Sequence, residues 1–223
     1  MKWFLFIGYV IVLNKILGIL GCTKPSFENL IVQSDFNLYK FLGIWYEIKW
    51  LPDQPHNEFE IWRNTYLVFQ LENSSTQTIV APGRGRLINT NCFSFGPWVI
   101  IANNNAKMIL QAVDINDTKP LNRPFYILKT DYEHYALIYS CTSENYIHTN
   151  PCEKPRLWVF SRTTSLSNDY LIELDNYIVN NLCINLTELE ITPHDGESCY
   201  SSSSSNICVI NIIFFIFLFL IYI

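Results

Sequence analysis

No segment of this chain concentrates positive charge. Lys and Arg number 15 against 20 Asp and Glu, a formal net charge of −5 over 223 residues. Gly83-Arg84-Gly85-Arg86 sets two arginines beside two glycines, a composition that predicts a turn. Without a basic stripe there is nothing to grip a phosphate backbone, which excludes nucleic acid as a partner. No Cys-x-x-Cys pair occurs, so zinc-ribbon and dithiol redox readings lack their ligands. Gly-x-Ser-x-Gly, His-Glu-x-x-His, a phosphate loop and a dinucleotide fingerprint are all missing. His56, His134, His148 and His194 are scattered without a partner pattern. Catalytic residues, a metal and a cofactor are therefore not expected. There is no internal repeat.

A long membrane-spanning run is lacking too. Such a helix needs about 20 apolar residues and normally meets basic residues on its cytoplasmic side. At the C-terminus Ile207–Ile223 is too short, Asn211 interrupts it, and no Lys or Arg follows. Small residues (Ser201–Ser205), a short spacer and the apolar tail Ile212–Ile223 instead follow the order of a glycolipid (GPI) anchor signal, with attachment at Ser201. At the N-terminus a basic start at Lys2 precedes apolar Phe4–Leu13, broken by Asn14 and Lys15 and completed by Ile16–Gly21. This pattern predicts a signal peptide over residues 1–21. Ile19-Leu20-Gly21-Cys22 also resembles a bacterial lipobox, but the cysteines, the sequons and the tail favour a eukaryotic secretory route. The expected layout is a leader over 1–21, one domain over 22–200, and a removed anchor signal over 201–223. The mature protein would then sit at the cell surface, held to the outer leaflet of the plasma membrane.

Cysteine usage agrees with export. Cys22, Cys92, Cys141, Cys152, Cys183 and Cys199 fall in the central domain, and Cys208 would leave with the tail. An even set in an exported chain predicts disulfides. Asn73, Asn116 and Asn185 head N-x-Ser/Thr sequons among polar, loop-like neighbours, as glycosylation requires.

Strand signals dominate the middle of the chain. β-Branched and aromatic runs bounded by Asn, Gly, Pro and Ser predict strands near 43–51, 62–71, 76–81, 85–94, 97–103, 107–114, 124–131, 134–141 and 156–162. Their short connections imply antiparallel neighbours in a sandwich or a closed barrel. The period then changes. Leu166, Tyr170, Leu174, Tyr177 and Ile178, extended by Leu171 and Leu182, recur at helical steps after a cap at Ser167 or Asn168. One amphipathic helix cannot cover both faces of a sandwich, but it can lie against a barrel.

Three segments carry more than pattern. Gly43-Ile44-Trp45-Tyr46-Glu47 opens the first strand, Thr130-Asp131-Tyr132 heads a strand ending at Cys141, and Arg156-Leu157-Trp158-Val159-Phe160-Ser161-Arg162 precedes the helix. In this order they resemble the three motifs of the lipocalins, and the second and third look most like the apolipoprotein D and Lazarillo group. The resemblance covers most of residues 30–190. It implies an all-β fold, an eight-stranded antiparallel up-and-down β-barrel with one C-terminal α-helix packed outside. It implies a floor made of Gly43, Trp45 and Arg162, with the guanidinium over the indole. It also implies a disulfide from Cys22 to Cys141. The cysteine expected at the start of the second strand is absent at Glu60-Ile61-Trp62, so Cys199 can turn to Cys92, leaving Cys152 and Cys183 for each other.

Alternation along the strands then selects an inward, ligand-binding face. Phe160 and Trp158 follow from Arg162, and His134, Ala136 and Ile138 lie on the face opposite Cys141. Tyr126, Leu128 and Tyr66 are weaker candidates. The implied ligand is a fatty acid, sterol, retinoid or bilin. Two other readings stay open: a cell-surface adhesion or guidance protein that uses the barrel as a scaffold, and a lipocalin-type isomerase with Cys92 as an inward free thiol.

Overall fold

A computed structural model describes residues 22–102, 105–113, 120–143 and 147–200. The expected leader, the Ser201 attachment site, the tail and Asn116 lie outside the described residues. After a short helix α1 (Leu38–Phe41) come eight strands: β1 (Gly43–Trp50), β2 (Arg63–Asn73), β3 (Thr78–Arg86), β4 (Phe93–Ile101), β5 (Lys107–Val113), β6 (Pro120–Thr130), β7 (Tyr135–Cys141) and β8 (Pro155–Ser161). Each pairs antiparallel with the next, and β1 pairs with both β8 and β2, closing the barrel. Helix α2 (Asn168–Leu182) and a two-residue strand β9 (Glu190–Ile191), which pairs with β1, follow. Among the described residues no helix is long and apolar enough to cross a membrane.

Two apolar clusters sit on opposite sides of the barrel wall. Trp45, Leu67, Phe69, Ile79, Met108, Phe125, Ile127, Ala136, Ile138 and Phe160 fill the inside. Leu137, Tyr139, Leu157 and Val159 point out and pack with Phe27 and the helix residues Leu174, Ile178 and Leu182. These three helix residues, at steps of four, are fully buried; each contributes about 1.5–3 kcal/mol. The helix starts after Ser167, whose side chain makes no capping bond, and ends at Cys183 in the left-handed region with φ 56°.

Three expectations need correction. Segments 76–81, 85–94 and 97–103 regroup into β3 and β4, and 83–86 is strand rather than turn. Pro82 and Gly83 read as punctuation, yet the ladder runs through them with a register shift between Ala81 and Gly83. Gly83 serves packing instead: a Cβ there would lie 2.2 Å from the Phe95 ring.

The third correction concerns the disulfides. Cys22 pairs with Cys183, and Cys141 with Cys152; the third bridge joins Cys92 to Cys199. The implied Cys22–Cys141 bridge and the Cys152–Cys183 pair are therefore not formed. The link after β7 turns back on itself, with Thr142 N donating to Lys154 O at 3.0 Å and Lys154 N to Ser143 Oγ at 3.0 Å. That return brings Cys152 to the end of β7 and leaves Cys22 beside the last turn of α2, where its Sγ lies 3.5 Å from Val179 O.

Candidate functional site

The floor is built on Trp45, which is fully buried. Its Nε1 donates to Phe41 O at 2.7 Å, and its ring meets Phe41 at 5.4 Å. The Arg162 guanidinium carbon lies 3.8 Å from the indole centroid. Its nitrogens donate to five carbonyls: Tyr132 and Ile44 at 2.9 and 2.8 Å, and Lys40, Phe41 and Leu42 at 2.8, 3.3 and 3.0 Å. Burial lowers the pKa of Arg162, opposed by the charge of Asp131, but a guanidinium stays protonated in proteins. Gly43 has φ +103°, and a Cβ on it would stand 3.3 Å from Arg162 Nη1. Backbone conformation and the guanidinium both call for glycine there.

Thr130-Asp131-Tyr132 makes the adjacent turn. Asp131 Oδ1 accepts from the amides of Glu133, His134 and Tyr135 at 3.1, 2.8 and 3.0 Å. Burial pushes its carboxyl up, but these amides and the His134 ring outweigh that and hold it below the usual carboxylate range. Thr130 Oγ1 donates to Tyr135 O at 2.7 Å. The turn thereby presents the Tyr132 carbonyl to Arg162.

Above the floor the interior is solid. Phe69, Phe125, Phe160, Met108 and Ile100 have no more than 1% exposure. The hollow lies in the mouth half. A cavity of about 640 Å³ is lined by Trp98, Val99, Leu110, Arg123, Ser140, Arg156, Trp158 and neighbours. A lobe of about 210 Å³, lined by Glu47, Trp50, Trp62, Thr65 and Phe95, shares Trp98 and Trp158 with it. The two shared rings are 5.2 Å apart.

The mouth carries unusual polar groups. Arg156 Nη2 pairs with Asp53 of the β1–β2 segment, while its Nη1 is buried without a partner. Thr65 Oγ1 is likewise buried and unpartnered. Burial pushes the Glu47 carboxyl up to about 7; a 2.6 Å hydrogen bond from Thr192 Oγ1 lowers it, and Glu190 raises it. His194 Nε2 donates to Glu47 O at 2.7 Å. Burial lowers the His194 pKa, against the raising effects of that bond and of Asp195.

Of the residues selected for an inward face, Phe160, Ala136 and Ile138 join the interior cluster and pack the floor, while Trp158 lines the hollow. Four others do not face inward. His134 lies in the bend before β7 begins, so the alternation does not reach it; its ring stacks on Tyr170 of α2 at 5.0 Å and its Nδ1 lies 2.7 Å from Asp131. Tyr126 and Leu128 belong to the outer cluster, and Phe125 and Ile127 take the inside of β6. Tyr66 faces out with its register partner Tyr46, and its hydroxyl donates to Cys199 O at 3.3 Å. Trp98, Arg123 and Arg156 were not selected. Counting back from Arg162 through Phe160 and Trp158 reaches Arg156 next, so the signal was present for that one. Asn73 and Asn185 are both exposed.

No family model matches the chain. It is 26% identical over 189 residues to apolipoprotein D of Macaca fascicularis, spanning 80% of this chain and 84% of that protein. Against apolipoprotein D of Cavia porcellus it is 26% identical over 192 residues, with 80% and 84% covered. Among solved structures it is similar to apocrustacyanin C1, with TM-score 0.55, 18% identity, and 74% of this chain and 83% of that one covered. Lobster apocrustacyanin A1 gives TM-score 0.54 at 18% identity, covering 72% and 81%. The fold is that of a lipocalin. Within that fold, the sequence similarity is to the apolipoprotein D type.

Proposed function

We propose that the chain is an extracellular carrier that holds one small hydrophobic ligand in the mouth half of its barrel. The observation that carries this reading is an aromatic-lined hollow standing on a sealed, fully packed floor. Removing apolar ligand surface from water there gains roughly 25 cal/mol per Å2, and the paired indoles add stacking for a flat ligand. Fatty acids, sterols, retinoids and bilins are the ligand classes in question. Titration of intrinsic Trp fluorescence with one member of each tests it. Saturable quenching is expected because Trp98 and Trp158 line the hollow; no quenching by any of them would leave an adhesion or guidance scaffold. The isomerase reading has lost its thiol candidate, since Cys92 is bonded to Cys199.

Export and display belong to the same reading. A leader over 1–21, glycans on Asn73, Asn116 and Asn185, and a glycolipid anchor at Ser201 would place the barrel on the outer leaflet. The sequence pattern of both ends supports this, as do three disulfides in the domain. Release of the protein from intact cells by a phosphatidylinositol-specific phospholipase is the expected outcome. Retention on the cells after treatment would point to a tail helix, and appearance in the medium without treatment to plain secretion.

A further inference from the structure

The smaller lobe of the mouth is shaped by a slip in the ladder. Glu47 pairs with Phe160 and Trp50 with Trp158, so β1 carries one extra residue between Glu47 and Lys49. Strict alternation would put Glu47 and Trp50 on opposite faces. The extra residue re-aims the strand: both side chains line the lobe, and Lys49 turns outward to Asp175 on α2. Trp62, Phe95, Trp98 and Trp158 supply the other rings, with Trp62 edge-on to Phe95 at 5.2 Å. Two buried oxygen-bearing groups face this box of rings. Glu47 is 7% exposed, and its Oε1 accepts from Thr192 Oγ1, a role that needs no charge. Among the described residues no Lys, Arg or His forms an ion pair with it. Burial and the charge of Glu190 both push its carboxyl up, to about 7. Thr65 Oγ1 lines the same lobe, buried and without a partner. A buried carboxyl with no cation beside it costs free energy in the empty protein. A cation brought in by a ligand would remove that cost: ring faces attract it, and the carboxylate and the hydroxyl take its N–H donors.

We propose that this lobe takes the ammonium head of a hydrophobic primary amine, with Glu47 and Thr65 as its acceptors and the apolar body of the amine in the larger cavity against Trp98 and Trp158. This rests on the carrier reading and adds to it the charge and direction of a ligand. Arg123 and Arg156 line the larger cavity. They repel a cation from that side, so the head group goes to the lobe and the amine enters one way round.

The test compares decylamine with decan-1-ol, which differ only at the head group, by calorimetric titration of the mature, folded protein at pH 8, where the Glu47 carboxyl is ionised and the amine protonated. The amine is expected to bind about tenfold more tightly than the alcohol. Glu47→Gln keeps an acceptor for Thr192 and lowers the amine-to-alcohol affinity ratio about tenfold. Trp62→Leu removes one ring from a half-buried position, lowers the ratio about threefold, and serves if the first variant does not fold. An affinity ratio of one or below in the native protein overturns the proposal and leaves the carrier reading standing, as does a ratio that both variants leave intact. Absence of binding by the amine, the alcohol and the fatty acid, sterol, retinoid and bilin probes would instead remove the carrier reading, and this inference with it.

Discussion

The two ends of the barrel treat a partly buried arginine in opposite ways. At the floor, Arg162 finds five backbone carbonyls and an indole face. At the mouth, Arg156 finds one exposed carboxylate and leaves Nη1 unanswered. The same contrast extends to the neutral groups: Trp45 Nε1 has a short bond to Phe41 O, whereas Thr65 Oγ1 has none. Polar satisfaction stabilises a fold, and an unsatisfied buried group costs stability. The floor is therefore the structural end, and the mouth is where the proposed carrier reading places a ligand.

Substitution should expose that difference most at the indole. Trp45→Ala is expected to cost about 3–5 kcal/mol in chemical denaturation, the range for deleting a buried ring. Trp98→Ala, which opens onto an existing hollow, should cost about 1 kcal/mol while weakening ligand quenching. Equal losses at the two positions would erase the distinction between the ends.

Next in size is a stabilising change at the mouth. The Glu47 carboxyl has a folded pKa of about 7 against an ordinary 4.5. Between these values the folded state keeps a proton that the unfolded state has released. Its stabilising contribution is full below pH 4.5 and is lost as pH rises through 7, on the order of 3 kcal/mol in all. His194 works the other way, because burial lowers its pKa and its contribution is lost as pH falls. The difference between Glu47→Gln and native protein cancels the histidine. That difference should be near zero at pH 4 and should favour the variant at pH 8. A flat difference across this window would mean that Glu47 is solvated.

How much of this contrast could be read from the sequence follows from the same physics. The floor depends on Gly43, Trp45, Arg162 and the Thr130-Asp131-Tyr132 turn, residue types that few other arrangements need together. The helix was legible because only its inner stripe is buried. β6 was legible as a strand but not in its facing, because Phe125, Tyr126, Ile127 and Leu128 are buried on both faces of the wall; a continuous apolar run has no alternation to read. The disulfides were not legible either: Ser26 and Glu28 meet the β7–β8 link at Pro151 and His148, while Cys22, a few residues earlier, reaches the end of α2, and nothing in the spacing of the cysteines distinguishes these two destinations. The mouth polar groups sit on strands whose parity had to be known first.

A milder change tests the floor. Arg162→Lys keeps the charge but replaces a planar fork with three donors on a flexible stem. At least two of the five carbonyls lose their partner, and stacking on Trp45 weakens. A loss of about 2 kcal/mol is expected in denaturant midpoints, with the slope unchanged. The matching change at the mouth, Arg156→Lys, should cost under about 0.5 kcal/mol, because Nη1 already lacks an acceptor and Nη2 meets only an exposed carboxylate.

The smallest effect is the sharpest. Thr65→Val exchanges a hydroxyl for a methyl of nearly the same volume on the inner face of β2. At a satisfied site this costs about 1–2 kcal/mol, since a buried partner loses its bond. Thr65 Oγ1 has no partner, and its neighbours on that side are Gly85 and the Trp62 ring. Removing the hydroxyl therefore deletes a desolvation cost and no hydrogen bond, so thermal midpoints should stay level or rise slightly. A fall of 1 kcal/mol or more would reveal an ordered water on Thr65 and a wet lobe beside Glu47. The carboxyl pKa would then sit closer to its ordinary value, and the pH window argued for Glu47 would narrow with it.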